Sequence, residues 1–108
     1  MSFGFPAYYV EKISGIDASV PLQKVVRYAV NSLDWTIETD SEGIIIAKIG
    51  FNIWSWGERV EIDFFMQDEI TIKSSCVRFT QCIDWGKNKR NVKKFVAVIR
   101  KRITEMHR

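Results

Sequence analysis

Apolar and polar residues follow two rhythms along the chain, and the order of those rhythms predicts an architecture. Leu22, Val25, Val26, Ala29, Val30 and Leu33 recur at alternating steps of three and one, the spacing of one face of a helix with about 3.6 residues per turn. Gln23, Lys24, Arg27, Asn31 and Ser32 take the opposite face. Ser19 ahead of Val20-Pro21 predicts the N-cap, with proline in the first turn. A second helical stripe, Val92, Phe95, Val96, Ile99, Ile103 and Met106, follows Gly86, with Lys89, Arg90, Lys93, Lys94, Arg100, Lys101 and Arg102 filling the rest of the helix. Asp84 or Asn88 is its expected cap.

Between and before the helices the period is two. Tyr8 to Ile13 has the aromatic and β-branched character of a short strand that Gly15 ends. Trp35 to Thr39 and Gly43 to Ile49 face each other across Asp40-Ser41-Glu42-Gly43, a hairpin signal. In Glu58 to Gln67, Val60, Ile62, Phe64 and Met66 alternate with Glu61, Asp63, Phe65 and Gln67. After a turn at Asp68-Glu69, Ile70, Ile72, Ser74 and Cys76 share a face. One polar and one apolar side per strand indicates an antiparallel sheet with helices on a single face. The expectation is an α+β fold of order β-α-β-β-β-β-α: an antiparallel four- to five-stranded sheet with two helices on one face, helix-grip or TATA-binding-protein-like in topology. A chain of 108 residues suits one such unit, residues 1–108 as a single α+β domain.

Composition narrows the class without naming a reaction. An apolar fraction of 46% with 27% charged residues is globular rather than disordered. No run approaches the ~18 apolar residues of a membrane span, and Met1-Ser2-Phe3-Gly4-Phe5-Pro6 has no secretory pattern, so a cytoplasmic location is expected. Cys76 and Cys82 are six positions apart, which is no zinc spacing, and His107 is the only histidine. Two reduced thiols, no metal and no cofactor are therefore expected. Ser, Cys and His form no nucleophile–base pattern, and Glu58, Glu61, Asp63, Asp68 and Glu69 read as a solvated sheet face, so no catalytic residue and no enzyme are expected.

Charge is unevenly spread. Residues 1–86 hold 7 Lys/Arg against 12 Asp/Glu, a balance of −5, and residues 87–108 hold 9 against one, a balance of +8. A basic helix on an acidic body either meets an external anion or is partly neutralised by its own domain. Two candidate contact sites follow. Phe51, Trp54 and Trp56 lie between strands, either completing the core or lining a groove for an apolar ligand or protein partner. Lys87, Asn88, Lys89 and Arg90 open the second helix, either as a capped strand–helix junction or as an anion site at a positive helix end. The outer sheet face, through Phe65, Ile45 and Ile49, allows a homodimer. Nucleic acid or an anionic membrane surface ranks behind these partners, because no recognition motif accompanies the basic face.

Ser74, Ser75, Asp84, Gly86, Asn88, Asn91 and Val92 form a Ser-rich strand, an Asp-x-Gly-x-Asn turn and the start of a terminal helix. In these positions, about a fifth of the chain, the sequence resembles an uncharacterised bacterial group of small domains of unknown function. The resemblance implies a fold and a shared turn, and no activity. The reading at this level is a small non-enzymatic binding module for an apolar ligand or partner segment; the alternative is an anion-binding or nucleic-acid-associated domain using the basic C-terminal helix.

Overall fold

The computed structural model describes residues 8–49, 58–76 and 87–106, and the side chains of Cys76 and Lys87 fall outside that description. Seven elements follow in the order expected: β1 (Tyr8–Ile13), α1 (Leu22–Ser32), β2 (Thr36–Ser41), β3 (Ile44–Ile49), β4 (Glu58–Asp63), β5 (Ile70–Cys76) and α2 (Lys87–Met106). The strands form one antiparallel sheet of spatial order β1-β5-β4-β3-β2. Four consecutive strands, β2 to β5, therefore sit side by side, and β1, which precedes the α1 crossover, lies beyond β5 at the far edge. Both helices pack on the same face and touch each other, α2 over β1 and β5, α1 over β2 and β3. This is the α+β layering that the hydrophobic pattern predicts.

Register decides which residues meet. Ile45, Ile62, Ile72 and Glu11 form one row across four strands on the helix side, and Ala47, Val60, Ser74 and Tyr9 form the next. Above these rows lie Val25, Val26, Ala29 and Val30 of α1 and Val92, Phe95 and Ile99 of α2, none more than 1% exposed. Side chains thus occupy the layer between helices and sheet. Phe95 stacks on Trp35, ring centroids 5.7 Å apart and planes 15° from parallel, a pair worth ~0.5–1.5 kcal/mol beyond its area.

The ends of α1 differ from the sequence expectation. Pro21 stands at the N-cap and the helix begins at Leu22. Ser19 is not the cap: its amide donates to the Asp17 carboxylate at 2.8 Å, in an Asx turn that precedes the helix. At the other end Asp34 takes φ 58°, its N–H reaching Asn31 and that of Trp35 reaching Val30. This is a Schellman closure in which Asp holds the left-handed position usually given to Gly.

Two face assignments also change. β4 ends at Asp63, so the alternation does not run on to Gln67: Phe64 stays buried and its amide bonds to the Gly43 carbonyl, while Phe65 and Met66 are exposed at a turn. Ile45 is wholly buried and Ile49 shares its side of β3, so neither lies on the outer face. The outward residues of that strand are Ile44, Ile46 and Lys48. The outer face carries cross-strand charge pairs, with Glu38 bridging Lys48 at 3.2 Å and Arg59 at 3.2 Å, and Lys73 lying over the Tyr8 ring. The apolar patch expected to allow an outer-face homodimer is not formed by those residues.

Candidate functional site: one end of the sheet and the flanks of the terminal helix

Ile49 pairs with Glu58, and Glu58 pairs with Cys76. The chain thus leaves β3, enters β4 and leaves β5 in a single row at one end of the sheet, and α2 starts over that end. Phe51, Trp54 and Trp56 belong to the connection that leaves Ile49 and returns at Glu58. Those three residues, with Cys82, Asp84 and Gly86, lie outside the described residues, as does the Lys87 side chain. Topology alone makes the two candidate segments share an end of the sheet; sequence order separates them by two strands, β4 and β5.

What ties α2 to that end is a buried polar cluster. Ser74 is fully buried on the helix side of β5, and its hydroxyl donates to the Asn88 side-chain oxygen at 2.8 Å. One turn on, the Asn91 amide donates to Glu58 at 3.1 Å and reaches the Ser74 oxygen at 3.4 Å. Positions three apart on a helix share a face, so Asn88 and Asn91 both point at one strand pair. Among the described residues no buried side-chain polar atom lacks a partner. Asn88 is therefore not an exposed anion ligand: it lies inside the helix, wholly buried, with its carboxamide oxygen engaged by Ser74. Lys89 and Arg90 are exposed.

Ser74, Asn88 and Asn91 are three of the positions that carried the motif resemblance, and the cluster gives them a shared physical role. A further signal in the sequence could have found it. Ser74 interrupts the apolar parity of Ile70 and Ile72, and Asn88 and Asn91 continue the stripe of Val92 and Phe95. Polar residues on the inward faces of two apposed elements must bond to each other or bear a desolvation cost of ~1–3 kcal/mol each.

Around its axis α2 divides into three exposed strips. Arg102 lies over the Tyr28 ring of α1, 4.4 Å from its centroid, and 3.8 Å from Glu105, marking the flank toward α1. Lys93 lies on the opposite flank, its ammonium 2.7 Å from Glu11 of β1. Hydrogen bonding from Lys93 holds the Glu11 carboxyl below its ordinary range against the cost of burial, and Arg100 adds to that pull. Helical periodicity places Lys89 and Arg100 on the same flank as Lys93, and Arg90, Lys94 and Lys101 on the outermost strip. Among the described residues Lys89, Arg90, Lys94, Arg100 and Lys101 form no ion pair. The first turn of α2 contains no acid, so Lys89 and Arg90 oppose the helix dipole at ~0.3–1 kcal/mol each at low ionic strength.

The acids are not all outward. Glu11, Asp40 and Glu58 sit on the helix side, where they meet Lys93, Arg27 and Asn91. Asp40 is held below the ordinary carboxyl range by hydrogen bonding to Arg27, with Gln23 adding a further bond. The domain thus neutralises two cations of its helical layer at the rim and leaves most of α2 unmatched. Beside β1, Ile13, Ser14, Gly15, Ile16, Arg100, Ile103 and their neighbours line an open groove of about 520 Å³. No group of three or more metal-binding side chains occurs among the described residues, and no helix there is long and apolar enough to cross a membrane.

Comparison with protein-family models, with curated proteins and with solved structures finds no match.

Proposed function

We propose that the protein is a small, cytoplasmic, non-enzymatic binding module that takes an apolar ligand or partner segment at the end of the sheet where β3, β4, β5 and α2 meet. Phe51, Trp54 and Trp56 supply the apolar contact in this reading. The observation that carries it is the Ile49–Glu58–Cys76 row, with the start of α2 bonded to Glu58 of that row through Asn91 and to Ser74 of the next row through Asn88. That arrangement gives the Trp-containing connection a rigid base. The space between helices and sheet, the other place for an apolar ligand, is filled by Val26, Phe95, Ile99 and their neighbours. Native mass spectrometry and uptake of an environment-sensitive apolar dye test the reading. Wild type should take up the dye while folded, and a Trp54→Ser/Trp56→Ser variant should lose it with an unchanged melting temperature. No uptake by wild type, or equal uptake by the variant, would overturn it.

A second reading, an anion-binding surface, is favoured by one observation: Lys89 and Arg90 form no ion pair among the described residues and sit in an acid-free first turn. Lys87, Lys89 and Arg90 would make the contact, with Asn88 supporting from beneath. Its signature is affinity for a polyanion that falls steeply with salt.

A further inference from the structure

The sheet has two edges, and among the described residues only one of them is defended. β2 breaks register between Ile37 and Thr39 and exposes Glu38 and Asp40, the bulge and charge that discourage another strand from adding. β1 keeps six unbroken pairs with β5, from Tyr8↔Ser75 to Ile13↔Ile70, and among the described residues pairs with no other strand. It contains no proline and no bulge. On its outer side Tyr8 and Val10 are 49% and 45% exposed.

The surroundings of this edge are basic on the helix side. α2 runs along β1, with Asn88 and Asn91 near the Tyr9 row, Lys93 on Glu11, and Arg100 beside Ile13. Lys89, Lys93 and Arg100 follow one flank for ~16 Å at 1.5 Å per residue, close to the ~20 Å of a six-residue strand. Among the described residues Glu11 faces this flank and is engaged by Lys93, and Asp17 lines the groove that Arg100 also lines. On the outer side Lys12 is matched by Glu69 and Lys73 lies over the Tyr8 ring, so Tyr8 and Val10 present apolar surface between these charges.

We propose that β1 is a docking edge for an extended acidic segment of another protein, which adds as a sixth strand. Backbone hydrogen bonds to β1 supply affinity. Successive side chains of the added strand point to opposite sides, so acids at alternate positions meet Lys89 and Arg100 while apolar residues between them cover Tyr8 and Val10. A second copy of this chain fits the same edge poorly, because the two-fold that pairs β1 with itself sets the cationic flanks of two α2 helices against each other. This surface runs along β1, apart from the Trp-containing connection, and stands or falls independently of the sheet-end reading.

The test is fluorescence anisotropy at low salt with a labelled, blocked peptide of alternating Glu and Val, about eight residues long to span the strand. Its comparators are the same composition in block order, the same sequence N-methylated at alternate amides, and random duplex DNA. The alternating peptide should bind, and N-methylation and Arg100→Glu should each weaken it at least about tenfold. Circular dichroism should show Arg100→Glu folded, and backbone shifts on binding should concentrate at residues 8–13. No binding, equal binding of the block or N-methylated peptide, or displacement by DNA at equal affinity would overturn the proposal. So would a wild-type dimer that Val10→Lys dissociates, since the edge would then belong to a second copy.

Discussion

Removal of the Ser74 hydroxyl should loosen the first turn of α2 by an amount that the geometry sets. Ser74→Ala deletes a 2.8 Å bond to Asn88 and a long 3.4 Å contact from Asn91, while Asn91 keeps Glu58 at 3.1 Å. One neutral bond lost in a site with no exposure costs about 1–2 kcal/mol. Asn88→Ala removes the larger group, strands the serine hydroxyl and leaves a void, for about 2–3 kcal/mol. Because the two side chains are bonded, the double variant should fall short of the sum by ~1 kcal/mol. In a chain of 108 residues each kcal/mol corresponds to roughly 4 °C in Tm. Urea denaturation followed by circular dichroism reads all three values, with an unchanged m confirming that compactness is preserved. Ser74→Ala with Asn88→Leu, which replaces both partners by apolar groups, should recover much of the loss. Additive single effects below about 0.5 kcal/mol would refute the reasoning and place both residues in water.

Three further outcomes follow. Gly43→Ala should destabilise by more than Gly15→Ala: both glycines have positive φ, 88° and 72°, but a Cβ at Gly43 meets Phe65 at 3.0 Å whereas the space around Gly15 is open. Thermal melts should put Gly15→Ala near the bare left-handed strain of ~1–2 kcal/mol, with Gly43→Ala beyond it. Asp34→Gly should raise stability by a few tenths to ~1 kcal/mol, because it relieves a left-handed residue in the Schellman closure, and a lowered Tm would contradict that. Glu11 is held below its ordinary range by Lys93, so its contribution is present above the unfolded carboxyl's titration and lost as pH falls through the depressed folded value. The stability difference between wild type and Glu11→Gln should accordingly shrink on acidification and with added salt, and a difference constant from neutral pH to strong acid would exclude the ion pair as its cause.

Much of the fold could be read directly because burial leaves its period in the residues. Val60, Ile62 and Phe64 face the helices as their alternation requires, and the stripes of both helices are buried as spaced. The reading failed where the pattern was degenerate. Ile44-Ile45-Ile46 is apolar throughout, so nothing local states which parity faces inward; the pairing of Ile45 with Ile62 decides it. Phe65 and Met66 continue an apolar run past the point where β4 stops, and only the bond from Phe64 to Gly43 reveals the stop. Asn88 carried a signal for both a cap and an anion ligand, and burial against Ser74 gave it a different task. The charge asymmetry was visible in composition, but its division into a flank over β1, an outer strip and a flank against Tyr28 required the helix to be seated on the sheet. For Phe51, Trp54 and Trp56, sequence supplies residue types, and topology supplies the end of the sheet their segment joins.

The sheet-end claim meets its most direct test in a ¹⁵N chemical-shift titration of the intact protein with the apolar dye. Perturbations should gather at Ile49, Glu58, Cys76 and the first turn of α2, with the amides of Val26, Ile45 and Phe95 unmoved. Largest shifts at Val26, Ile45 and Phe95 would mean that the ligand enters between helices and sheet, and a spectrum that does not change would mean that this end binds no apolar ligand.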